Sequence, residues 1–363
     1  MAHDHPRIGL VFLSLGVPDG PAAVRPFLAE QLADPEFRRL AVPAVERRLG
    51  GWLARSRIPR FTEMAARADA PRLLALARVQ MESVVGELEA RAVRRGEILR
   101  QRAALGTRYA RPRIFQAVSD LLDYMPTHLL AVPLYPHDSP ALRGTCLKEL
   151  ARTLAERGAK APPLLVVEPW YESPAYLDAL ARRAGDALAS LPAAARAAAT
   201  ILFVAYYPAP APRDAFPAQL ARTAAGVVER LGGPIPHRVG YLVREGRAGL
   251  EPADRVLAEA ARAGARAAVL VPIGGMLDDV ETVHAVDVEL VARAAELGLA
   301  VARAPSFNTA RDGILLLADL VEARLRAGGL GGGELHPDWA ERTGAKLAGA
   351  PTRVEPARAA ARP

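Results

Sequence analysis

Five acidic residues crowd one short stretch: Asp278, Asp279, Glu281, Asp287 and Glu289. Glu281 and Glu289 are eight apart, so on a helix they share one face, with Ala285 between them on the same stripe. His284, three on from Glu281, lies close to that stripe. A face of carboxylates and an imidazole beyond the end of a strand can hold a divalent cation or accept protons. The plainer reading is dipole complementarity, because acidic residues in a first helical turn each contribute about 0.3–1 kcal/mol. Tyr206-Tyr207 stands where an apolar run meets Pro208 and reads as core or rim packing with satisfied hydroxyls. His137, shortly after another apolar run, reads equally as a rim histidine with no role and as a proton acceptor.

These residues need elements to hold them, and the pattern supplies an α/β order. Short apolar runs at Ile8–Leu15, His128–Leu134, Leu164–Val167, Thr200–Ala205, His237–Val243, Ala267–Pro272 and Leu299–Arg303 predict strands. Between them lie amphipathic patterns at Arg72–Arg95, Ala141–Arg157, Pro174–Leu191, Arg213–Leu231, Pro252–Ala263, Val280–Leu297 and Asp312–Arg326. Such alternation predicts two doubly wound, Rossmann-like domains with parallel sheets and a cleft between them. The expected division is 1–160 and 161–327, followed by a Gly-rich, then Ala/Pro/Arg-rich tail over 328–363 expected to be disordered. Ligands in this fold class sit at the carboxyl ends of the strands. That rule selects the segments after Leu15, Leu134, Ala205 and Pro272. No internal repeat stands out at periods of 20–50 residues.

Composition removes several function classes. The 363 residues carry 47 basic and 40 acidic side chains, a net +7, but the arginines are scattered among acids along helices. No basic block with interleaved aromatics is present, so nucleic acid is not an expected partner. A single cysteine, Cys146, excludes an intrachain disulfide, a CxxC zinc site and a four-cysteine iron–sulfur cluster. It fits a reducing compartment, and no apolar run reaches membrane-spanning length, so a cytoplasmic location is expected. Gly16-Val17-Pro18-Asp19 is a strand-ending turn without the GxGxxG or GxxxxGK[ST] of a nucleotide site.

Taken in order, these segments resemble the ferrochelatase family. Leu15-Gly16-Val17-Pro18-Asp19 with Val24-Arg25-Pro26-Phe27-Leu28 is similar to the family's NLGTPD…VRxYL. Arg108-Tyr109 with Pro112-Arg113-Ile114 resembles RYGxPxI, and Val132-Pro133-Leu134-Tyr135-Pro136 resembles LPLYPQYS. Leu277-Asp278-Asp279-Val280-Glu281-Thr282 resembles the end of PxxFVSDHxET, and Asn308 falls where the family has LND. The resemblance spans about residues 8 to 326. It departs at the hallmark SAHGLP, which is Val204-Ala205-Tyr206-Tyr207-Pro208-Ala209 here, so Tyr206 stands for the family's histidine. Asp279, Gly275, Ala285 and Gly249 also replace a family histidine, phenylalanine, acidic residue and tryptophan respectively, and Asp69-Ala70-Pro71 stands for GSP.

The resemblance implies insertion of Fe(II) into a porphyrin (protoporphyrin IX or coproporphyrin III), with iron as substrate, no permanently bound cofactor and haem as product. It implies Glu281, Tyr206 and a relocated base, His137 or His284, as catalytic groups. It also implies Glu281, Tyr206 and Glu289 as metal ligands, and Arg25, Arg108, Tyr109, Tyr135, Asp278 and Asn308 as porphyrin contacts. At most, an apolar lip between Leu40 and Arg78 (Leu53, Ile58, Phe61, Met64) would touch a membrane surface, unless it is a pocket wall. Loss of the imidazole matters physically, since a phenol of pKa about 10 is a poor base where an imidazole of about 6.5 is a good one. A phenolate is nevertheless a ligand for ferric haem iron. The alternative implied by the substitution is therefore a catalytically silent haem-binding protein with Tyr206 as axial ligand. A third is a chelatase for another metal or tetrapyrrole.

Overall fold

The computed structural model describes residues 6–36, 57–97, 99–207, 214–242, 250–328 and 330. The first half runs β1 (Arg7–Ser14), α1 (Pro21–Ala33), α2 (57–67), α3 (Ala70–Arg95), β2 (Arg100–Thr107), α4 (Ile114–Leu122) and β3 (His128–Pro133). A π-helical turn (Pro140–Gly144), α5 (Thr145–Ala155) and β4 (Leu164–Val166) complete it. The second half begins α6 (Pro174–Ser190), α7 (Ala193–Arg196), β5 (Ala199–Ala205), α8 (Phe216–Leu231), β6 (His237–Tyr241) and α9 (Ala253–Arg262). It ends with β7 (Ala267–Pro272), α10 (Val280–Val283), a π-helix (His284–Leu290), α11 (Val291–Glu296), β8 (Ala300–Arg303) and α12 (Arg311–Ala327).

The strands form two four-stranded parallel sheets, ordered β2-β1-β3-β4 and β6-β5-β7-β8. Central strands read as continuous apolar runs because helices cover both faces. Every residue of β5 is buried, as is all of β1 after Arg7. In each sheet the chain first steps to one side of its opening strand and then to the other. That leaves a switch point between β1 and β3 and another between β5 and β7, where crossovers diverge and open a crevice.

Two departures from the expected organisation follow from pairing. β4 lies beyond residue 160, yet it pairs with β3 in the first sheet, so the expected division does not coincide with the sheets. The chain then crosses to α6, which packs on α8, β7 and β8, while α12 returns to pack on α3, β3 and β4. α12 is thus a helix of the second half that also packs on the first. β2 was not among the expected strands: its first residues, Arg100-Gln101-Arg102, lie on an edge and alternate toward solvent. Leu53, Gly249, Pro208, Ala209, Val243 and the tail from 331 onward lie outside the described residues.

Candidate active site

The carboxyl ends of the two sheets face one another. The amide of Met276, beyond β7, donates to the carbonyl of Leu134, beyond β3, at 3.0 Å. The Tyr176 hydroxyl, on α6, donates to the Ile273 carbonyl at 2.8 Å. A cleft opens at both switch points, with Ser14 through Val17, Leu134-Tyr135, Ala205-Tyr206 and Gly274 through Asp279 on its walls. Gly16 turns the chain away from β1 at φ +80. A Cβ there would stand 2.7 Å from the Ala110 Cβ and 2.8 Å from the Thr107 Cβ, so the turn requires glycine. The Tyr135 hydroxyl accepts from the Leu15 amide at 2.9 Å, which pins its ring along the cleft. At Gly275 an added Cβ would only reach ordinary contact with that ring, 3.7 Å away.

The carboxylates enter from the segment after β7. Asp278 is clamped: Asn308 Nδ2 donates to it at 2.8 Å, and Ser306 Oγ and Arg303 Nη2 each donate at 2.5 Å. The Asp278 amide in turn donates to Asn308 Oδ1 at 3.0 Å. Asn308 thus serves the loop geometry through Asp278. Asp279 caps α10, accepting from the Thr282 amide at 2.6 Å. Burial raises its pKa, the Thr282 bonds oppose that rise, and the charge of Asp278 adds to it. Glu281, two residues on, is pushed up to about 8, first by burial and then by the charge of Asp279; a hydrogen bond from the Gln31 side chain partly offsets this. Tyr206 projects into the same cleft from the end of β5. Its phenol lies well above 10, because of burial and then the charges of Glu281 and Asp279.

Of the expected site residues, the structure brings Glu281, Tyr206, Tyr135 and Asp278 to the cleft. Others go elsewhere. Arg108 donates to Asp34 Oδ2 at 2.8 Å and to Thr145 Oγ1 at 3.1 Å, and Tyr109 donates to the same Asp34 oxygen at 2.8 Å. These two side chains build a polar cluster on Asp34 and do not line the cleft. Arg25 is exposed on α1. Glu289 stands outside the cleft, half-exposed, with Arg60 of α2 at 2.5 Å and His284 Nε2 at 3.5 Å. Of the three expected iron ligands, Glu281 and Tyr206 line the cleft and Glu289 does not.

His137 is fully buried and does not line the cleft. Its Nε2 lies 2.9 Å from Thr223 Oγ1, whose own proton goes to the Tyr171 carbonyl at 3.0 Å. The ring nitrogen therefore donates, leaving Nδ1 as an acceptor with no partner inside a cage of Tyr171, Tyr176 and Phe216. Burial lowers its pKa to about 3. A proton placed there would be a desolvated charge among aromatic rings, so His137 is a packing residue and the relocated-base expectation fails for it. His284 does not line the cleft either. Gln31, absent from the expected set, does.

Comparison with known proteins decides the family. The model described as Ferrochelatase matches residues 7–325. The chain belongs to the ferrochelatase family. The ferrochelatase of Geotalea daltonii is 26% identical over 327 residues, covering 87% of this chain and 98% of that protein. The ferrochelatase of Synechococcus sp. (strain RCC307) is 30% identical over 335 residues, covering 88% and 83%. Among solved structures, SirB from Bacillus subtilis with Fe3+ aligns at a TM-score of 0.49 and 12% identity, over 89% of this chain and 98% of that one. Membership supports metal chelation into a tetrapyrrole as the class of chemistry. Among the described residues no helix is long and apolar enough to cross a membrane.

Proposed function

We propose that this chain inserts ferrous iron into a porphyrin held in the cleft, with Glu281 receiving protons from the pyrrole nitrogens. The observation that carries the reading is the Glu281 carboxyl in that cleft, its pKa raised to about 8. Insertion requires two N–H protons to leave as Fe2+ bonds to the four nitrogens. An ordinary carboxylate is too weak a base to take them efficiently. One that titrates near 8 is matched to a working pH near neutrality and exists partly as carboxylate there. The apolar walls, including Leu15, Val17, Leu73, Leu74 and Leu134, accept a flat hydrophobic macrocycle and exclude water, which strengthens the field of the cleft carboxyls on the porphyrin face. Tyr206, in the position of the family's histidine, stays a neutral phenol that hydrogen-bonds but does not take a proton.

The silent-binder alternative requires Tyr206 to ionise. Burial and the neighbouring negative charges of Glu281 and Asp279 both oppose that, which favours the insertion reading. The test is anaerobic Fe2+ insertion into protoporphyrin IX and coproporphyrin III, followed by loss of porphyrin fluorescence. The native chain is expected to turn over, Glu281→Ala to lose at least about 100-fold, and Tyr206→Phe to stay within a few-fold. A native chain that is silent with both porphyrins, yet binds ferric haem with a phenolate spectrum abolished by Tyr206→Phe, would replace this reading with the haem binder.

A further inference from the structure

Along α3 the buried face runs Leu73, Leu74, Ala77, Gln80, Val84 and Leu88, spaced as one stripe turned to the core. Leu73, Leu74 and Ala77 line the cleft. Gln80, next in the stripe, interrupts it with an amide that is fully buried. The amide Nε2 donates to the main-chain carbonyl of Asn308, 228 positions on and in the other half of the molecule. The amide Oε1 has no hydrogen-bond partner among the described residues. A methionine in the stripe would bury no orphaned acceptor, so what the amide adds here is its bond to Asn308.

Asn308 sits in a tight turn that the Ala310 amide closes on the Phe307 carbonyl at 2.8 Å. Its φ is +45, a left-handed conformation that a residue other than glycine keeps only where its surroundings fix it. Three bonds tie this turn to the segment that leads into the cleft carboxyls. The Asn308 amide donates to the Met276 carbonyl at 2.8 Å, and Nδ2 donates to Asp278 at 2.8 Å. Asn308 Oδ1 accepts from the Asp278 amide at 3.0 Å. Its remaining polar group, the carbonyl, is the one that Gln80 takes. We propose that Gln80 is a positioning residue: through Asn308 it holds the segment bearing Asp278, Asp279 and Glu281 at a set distance from the apolar wall that α3 gives the cleft. For catalysis, the proposal rests on the reading of the cleft as the site of iron insertion. A macrocycle lying against Leu73, Leu74 and Ala77 then meets the carboxyls in one fixed geometry, because the same helix supplies the wall and holds the segment opposite. Glutamine suits the task, since it donates without bringing a charge into a buried position, and asparagine falls one methylene short.

The test compares the full native chain with Gln80→Met by hydrogen–deuterium exchange resolved to single amides. The Asp278 and Asn308 amides are expected to exchange at least about tenfold faster in the variant. The Ile273 amide, which donates to the Val204 carbonyl at 3.0 Å, is expected to exchange as before. Iron insertion is expected to fall at least about tenfold in kcat with KM within about twofold, since the wall stays while the carboxyls lose their register against it. Unchanged exchange at Asp278 and Asn308, or a rise shared equally by Ile273, overturns the proposal. Faster exchange with an undiminished kcat overturns it too, because Gln80 then serves the fold alone. Asn308→Gly, which keeps the carbonyl and the left-handed turn, closes a double-variant cycle. If Gln80 acts through Asn308, the double variant loses no more kcat than Asn308→Gly does, whereas additive losses contradict the proposed route. A native chain that inserts no iron overturns the function proposed above, while exchange still decides whether Gln80 holds the segment. If Gln80→Met does not fold, Gln80→Asn, which draws the donor back by one methylene, is read in the same way.

Discussion

Replacing Glu281 with glutamine changes how stability depends on pH, and the size of the change can be worked from its surroundings. In the unfolded chain this carboxyl titrates near 4.5; in the folded cleft it titrates near 8. Between those values the folded state keeps a proton that the unfolded state has released. Raising the pH therefore favours unfolding: the stability tied to this proton is complete below pH 4.5 and is lost as pH rises through 8. The span corresponds to about 5 kcal/mol at about 1.4 kcal/mol per pH unit. Glu281 keeps some contact with solvent, and the neighbouring Asp279 can take up part of the proton, which lowers the expected loss to about 3 kcal/mol. Glu281→Gln has no such proton to lose. Urea unfolding at pH 5, 6.5 and 8.5, followed through the buried Trp170, is expected to show the variant overtaking the native chain as pH rises, by about 3 kcal/mol at pH 8.5. Parallel pH dependence in the two proteins would refute the placement of Glu281 in a desolvated, negatively charged site.

Two further substitutions separate cleft from scaffold. His137→Asn is expected to leave iron insertion within about twofold while costing about 1–3 kcal/mol in urea unfolding, because Thr223 loses its partner inside the aromatic cage. Asp34→Ala leaves the donors of Arg108, Tyr109 and Thr145 facing a buried gap. The expected loss is about 3–5 kcal/mol, or about 5–8 °C in melting temperature for a chain of this size.

The architecture was legible wherever burial forces an unbroken apolar run. β1, β3, β5 and β7 lie at the centres of their sheets, covered on both faces, so their sequences could hardly read otherwise. β2 escaped because an edge strand needs only one buried flank, and its polar opening looks like the end of α3. The site was legible to the same depth and no further. Strand ends name the loops that reach the cleft, and Tyr135, Tyr206, Asp278 and Glu281 all stand on such loops. Arg108 and Tyr109 also follow a strand end, yet their side chains turn to Asp34, a residue 74 positions before Arg108. No spacing rule reports that turn. His137 stands two residues beyond Tyr135, but the chain between them turns the imidazole into the cage of α6 and α8.

The loss of the family's histidine takes on a different meaning once these positions are known. A relocated imidazole was the natural expectation, because histidine is the side chain whose ordinary pKa suits the task. No histidine lines the cleft among the described residues. Three carboxyls do, Asp278, Asp279 and Glu281; burial raises the pKa of Glu281 and the charge of Asp279 raises it further. A carboxyl pair can reach the basicity of an imidazole if it is desolvated and negatively flanked, and Asp279 stands where the family has a second histidine. On the resemblance, a phenol and a carboxylate stand here for two imidazoles. The carboxylate raises the basicity of Glu281, and the phenol, held neutral by the same charges, adds no competing base. In the proposed reading the proton chemistry of the cleft falls to Glu281 with Asp279 beside it, and no substitute histidine is required.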